Sequence, residues 1–138
     1  MSAPNEAEAE RRVERLIQEW TEGQAWVERI DDENSQVGQS QIWDFTVQLR
    51  DKTLIGAYER SGDIATISRA IERLKEGVRQ SGADGPLLIV PFMGEKGAKR
   101  CQEKHISWID LSGNAHLHTT SSLIHVEGKP NEIGRAHV

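Results

Sequence analysis

The chain has 138 residues, 36% of them hydrophobic and 28% charged, with a formal net charge of −5. That length supports one sizeable core, and the charged fraction suits a globular protein. No apolar run approaches the roughly 20 residues that a membrane-spanning helix needs. The acidity excludes a surface basic throughout but leaves room for a local basic site. Ten acids and four bases in residues 1–35 account for −6, which leaves +1 for the rest.

Residues 6–30 read as helical. Val13, Leu16, Ile17 and Trp20 form one apolar stripe, Thr21-Glu22-Gly23 bends or breaks it, and Trp26, Val27 and Ile30 resume an apolar face. Residues 31–40 form a polar loop. Residues 42–49 alternate, with Trp43, Phe45, Val47 and Leu49 on one face and Asp44, Thr46 and Gln48 on the other, so a strand is expected. A tight turn at Asp51-Lys52 leads into a second strand over residues 53–59, making an antiparallel hairpin. Asp63 is the expected N-cap of a helix buried through Ile64, Ile67, Ile71, Leu74 and Val78, and the Gly-rich stretch 81–85 ends it.

The stretch 86–117 carries most of the information. Residues 87–92 are apolar on both faces, the mark of a strand buried between helical layers. Residues 94–104 read as a short helix with Ala98 and Cys101 inward. Residues 106–111 form another strand, which ends in the polar turn Asp110-Leu111-Ser112-Gly113-Asn114. Residues 114–119 and 123–126 make a final hairpin, and residues 128–138 form a tail without apolar period, leading to another domain. The expected fold is α/β, a mixed central sheet with helices on both faces in the order α-β-β-α-β-α-β-β. Residues 1–40 form an N-terminal helical segment and loop, 41–127 the core, and 128–138 a linker. Two strand–helix–strand crossovers bring strand ends to one edge, where such sheets bind ligands.

A hairpin carrying Asp44, a second strand ending at Glu59, then helix–strand–helix–strand resembles the PD-(D/E)XK restriction-endonuclease-like fold. The run SWIDLSGNAHL, preceded by LLIVPFMG and GAKRCQEKHI, is similar to a group of bacterial, largely actinobacterial proteins of that type. In those a nuclease-like domain is often joined to a winged-helix regulator resembling abortive-infection antitoxins. The resemblance covers about residues 41–130. It implies carboxylates on two neighbouring strands that hold Mg²⁺ and a Lys two positions on that steadies the attacking water. Hydrolysis of a phosphodiester needs such a hard cation beside an in-line water. Asp44 fits the first carboxylate and Glu59 the second. Arg60-Ser61 then follows where Lys is wanted. If Glu59 instead takes the place of the Lys, the second carboxylate has become Ala57. Both registers leave the motif degenerate.

The candidate catalytic and metal residues are therefore Asp44 and Glu59, with Mg²⁺ as cofactor if the centre is active and none otherwise. Arg60, Lys96, Lys99, Arg100 and Lys104 are the candidate DNA-binding residues, with Lys129 and Arg135 as further cations in the tail. Asp110, Ser112 and Asn114 are either a polar site or a turn in which Asp and Asn bind backbone donors and Gly113 supplies a positive φ. His116 and His118 share a face of one strand, and His125 lies on its neighbour. With His105 they could bind a transition metal, although no metal-motif spacing is present.

Cys101 is the sole cysteine, read as a buried hydrophobe, so no intrachain disulfide is expected. Residues 1–10 lack an apolar signal core, and a reducing cytoplasm is the expected location. The preferred reading is a non-catalytic, DNA-associated regulatory or defence-linked domain on a degenerate nuclease fold. The alternatives are an active metal-dependent endonuclease and a protein–protein interaction module. DNA, a protein partner and a second copy through the apolar N-terminal helix are the expected partners, and a membrane is not.

Overall fold

A computed structural model describes residues 3–29 and 43–131. The expected polar loop 31–40, Ile30, Ile42 and the end of the tail with Arg135 lie outside the described residues. Among the described residues ten elements follow in chain order: α1 (Glu6–Thr21), β1 (Ala25–Arg29), β2 (Phe45–Leu49), β3 (Lys52–Tyr58), α2 (Ile64–Ser81), β4 (Gly85–Val90), α3 (Glu95–Glu103), β5 (Ser107–Asp110), β6 (Ala115–His118) and β7 (Leu123–Val126).

The strands form one mixed sheet whose spatial order is the sequence order, β1 to β7. β1, β2 and β3 run antiparallel, β3, β4 and β5 run parallel through α2 and α3, and β5, β6 and β7 return to antiparallel. Helices cover both faces. Ala9, Val13 and Ile17 of α1 pack on Phe45, Val47, Leu49, Leu54, Leu87 and Ile89. Ile67, Ile71 and Leu74 of α2 and Cys101 of α3 pack on Ile55, Ala57, Leu88 and Val90 on the other side. β4 thus buries both of its faces, as its unbroken apolar run requires.

The α/β class and the mixed sheet between helices agree with expectation, but the element order does not. The structure reads α-β-β-β-α-β-α-β-β-β rather than α-β-β-α-β-α-β-β: residues 25–29 add a strand in place of a second length of helix, and three strands, at 107–110, 115–118 and 123–126, follow the last helix where that order counts two. The helix ends at Glu22, in the left-handed conformation at φ +54°, and Gly23 follows at φ +85°. Beyond this cap Ala25 and Val27 turn inward at period two while Trp26 is 45% exposed. The 1–40 segment therefore contributes both a helix and an edge strand to the common core. Leu16 and Trp20 pack against the same core as Val13 and Ile17.

Three local details also move. The β2–β3 turn is Arg50-Asp51, with Arg50 at φ +56°, and Lys52 already pairs with Leu49. Trp43 leaves the face of Phe45 and packs with the α2-side cluster. Ile64, in the first turn of α2, is exposed rather than part of the buried stripe. Both ends of α2 fall where expected. The Asp63 carboxylate accepts from the Thr66 backbone N–H, and Gly82 closes the helix at φ +72°.

Candidate functional site

The C-terminal ends of β3, β4 and β5 share one edge of the sheet, and most of the predicted site residues stand along it. Asp44 sits one residue before the Phe45–Gly56 pair, where the β2–β3 register begins. Its backbone N–H donates to the Gly56 carbonyl (2.8 Å), and its carboxylate Oδ2 accepts from the Tyr58 N–H (2.8 Å). Asp44 thus extends the β2–β3 ladder through its side chain, which explains the break in the alternation at Trp43. Glu59 continues the β3–β4 ladder through its N–H to the Ile89 carbonyl (2.9 Å). Its carboxylate receives Arg73 Nη2 of α2 at 3.0 Å, with both side chains partly exposed. Arg73 was not singled out from the sequence, although it lies between the inward residues Ile71 and Leu74. Among the described residues no group of three or more His, Cys, Asp or Glu is arranged to hold a metal ion.

The basic residues lie to the α3 side. Arg60, Lys96, Lys99 and Lys104 are exposed, whereas Arg100 is partly buried and donates from Nη1 to Ser68 Oγ of α2 at 3.0 Å. Two glycines bring the Arg60 segment close to α3. A Cβ on Gly62 would meet the Phe92 carbonyl at 2.7 Å, and one on Gly97 would meet Ile67 Cδ1 at 2.5 Å and Met93 Sδ at 2.6 Å, with the Gly62 carbonyl 4.0 Å away. Neither glycine was read from the sequence as a packing requirement.

The polar turn is an ordered network. Asp110 is fully buried, and its carboxylate accepts from the backbone N–H groups of Met93 (3.0 Å), Ser112 (3.1 Å) and Asn114 (2.9 Å), and from Asn114 Nδ2. Burial pushes its carboxyl above the usual value, against the opposing pull of these hydrogen bonds. Gly113 takes φ +103°, the left-handed region that favours glycine. Asn114 in turn exchanges two hydrogen bonds with the backbone of Lys129, at 3.0 Å and 2.8 Å. Arg12 of α1 donates to the Leu111 carbonyl at 3.0 Å. The turn therefore ties together the loop before α3, the helix α1 and the segment after β7. Its buried carboxylate is occupied by these donors.

Beyond α3 the sheet is less covered. Leu88, Trp108, His116 and His125 are successive register partners across β4, β5, β6 and β7. Leu88 and Trp108 are buried, His116 is half-buried and His125 is exposed. A groove of about 670 Å³ opens over the end of this row, walled by Gly94, Ala98 and Lys99 on one side and by residues 126–129 on the other. His116 and His125 do meet, whereas His105 lies beyond the C-terminal end of α3 and does not line the groove.

The chain matches no family model, and no curated protein and no solved structure shows detectable similarity to it.

Proposed function

We propose that this protein is a non-catalytic, DNA-associated regulatory domain built on a degenerate nuclease-like scaffold. The observation that carries the reading is the state of the two candidate carboxylates. Asp44 binds the Tyr58 N–H, and Glu59 binds Arg73. A divalent cation poised for hydrolysis needs several oxygen donors converging on it. Here one carboxylate serves the backbone ladder and the other a salt bridge. What favours a polyanion as partner is the exposed set Arg60, Lys96, Lys99 and Lys104, on and beside α3, on a chain that is otherwise acidic. Five of the ten acids of residues 1–35, Glu6, Glu8, Glu10, Glu14 and Glu19, lie on α1, which covers the opposite face of the sheet.

The test is the binding of a labelled DNA duplex at stepped salt concentrations. Lysines that neutralise phosphates release counterions, so affinity falls as salt rises. The double variant Lys96→Glu/Lys99→Glu is expected to weaken binding and to reduce the steepness of the salt dependence by about 2. Both lysines are exposed, so the fold is expected to tolerate the change. Salt-independent binding, or binding unaltered in the double variant, contradicts the assignment.

A further inference from the structure

We propose that His116 and His125 form a binding site for one divalent transition-metal ion, zinc or copper(II), taken between their two Nδ1 atoms at the floor of the groove. The two residues are register partners on β6 and β7. Their rings stand nearly perpendicular, at 84°, with centroids 5.1 Å apart and Nδ1 atoms 2.9 Å apart. Two nitrogens at this separation either share one proton or converge on one ion. Metal–imidazole bonds of about 2.0–2.1 Å span such a gap, and a slight opening of the pair brings the ligand angle towards tetrahedral.

Glu127 is the second observation. Its carboxylate lies 3.3 Å from His125 Nε2, on the far side of that ring from His116. A carboxylate there holds the proton on Nε2 and leaves the Nδ1 lone pair bare, as carboxylates commonly do for metal-bound imidazoles. In the ion-free pair His116 then donates its Nδ1 proton to His125. When an ion takes the Nδ1 lone pair, that proton passes to His116 Nε2, and both ligands are neutral imidazoles.

With two side chains as the protein's share, the remaining positions of a four-coordinate ion fall to water or to an occupant of the groove. Imidazole donors select zinc and copper(II) over magnesium and calcium. The site is separate from Asp44 and Glu59 and does not depend on the reading of those residues.

The experiment is a calorimetric titration of the tag-free full chain with zinc chloride, paired with spectra that follow the imidazole nitrogens. One ion per chain is expected, with the Nδ1 signals of His116 and His125 shifted. His116→Gln and His125→Gln should each weaken binding by about tenfold or more, with a comparable loss in Glu127→Gln. His105→Gln, remote from the groove, should bind as the wild type does. These positions are exposed or half-buried, and thermal melts check that the variants fold. No binding by the wild type, or unweakened binding by both His116→Gln and His125→Gln, overturns the proposal.

Discussion

Asp110 shows how much one buried carboxylate can organise. It belongs to β5, yet its hydrogen bonds fix the backbone at Met93 and the turn through Asn114. Replacing it by Ala would strand those buried donors, each costing about 1–3 kcal/mol. Relief from burying a charge offsets part of this. The expected outcome for Asp110→Ala is a net loss of about 3 kcal/mol or more in urea denaturation. The loop before α3 should also lose order, visible as faster amide exchange at Met93. Cys101 is expected to be inert. Burial pushes its thiol up to about 12, and it is fully enclosed among Ile67, Val90 and Ile106 on the α2 side. A thiol reagent at mildly alkaline pH should label it only upon unfolding. Labelling of the native protein at the rate of a free thiol would contradict this packing.

At the scale of elements, what could be read from the chain depended on whether the signal was local. Asp63 and Gly82 bound α2 because a cap is a short-range event between a side chain and the nearest backbone groups. The apolar run of β4 carried its doubly buried position for a similar reason. β1 is not legible locally because Trp26, Val27 and Ile30 suit a helical face as well as a strand, and the inward turn of Ala25 and Val27 is decided by pairing with β2. Thr21-Glu22-Gly23 does carry a local helix stop, in the left-handed Glu22 and Gly23. The roles of Gly62 and Gly97 and the Asn114–Lys129 link depend on approaches across the fold that no spacing encodes.

The Asp63 cap also gives α2 a defined pH response. Hydrogen bonds from Ser61 and from Thr66 hold its carboxyl down at about 2, below the ordinary 3.8. A carboxyl depressed in the folded state stabilises above its unfolded value, and that contribution is lost as pH falls through the folded value. Asp63→Ala should therefore lower the melting temperature near neutral pH, and the gap from wild type should close as pH falls from about 4 towards 2. A gap that is constant across this range would mean that the cap acts without its charge.

The whole molecule places its charges unevenly. Acidic α1 covers one face of the sheet, and exposed lysines of α3 with Arg60 lie on the side of the other helical layer. The carboxylates that a nuclease of the resembled family would use are bound to the protein's own backbone and to Arg73. In the sequence, Arg60-Ser61 after Glu59 already departs from the motif that the resemblance implies. The register and the partners of Asp44 and Glu59 required the folded chain, because ladder geometry and the contact with α2 join residues far apart in sequence.

The most direct measurement is a gel that follows both cleavage and mobility of plasmid and short-duplex DNA with Mg²⁺ or Mn²⁺, run for the wild type and for Asp44→Ala. The expected result is intact DNA that is retarded in a salt-sensitive manner by both proteins. Cleavage by the wild type that disappears in Asp44→Ala would contradict the non-catalytic reading and make Asp44 part of a working metal centre, and DNA neither cut nor retarded would remove the nucleic-acid role.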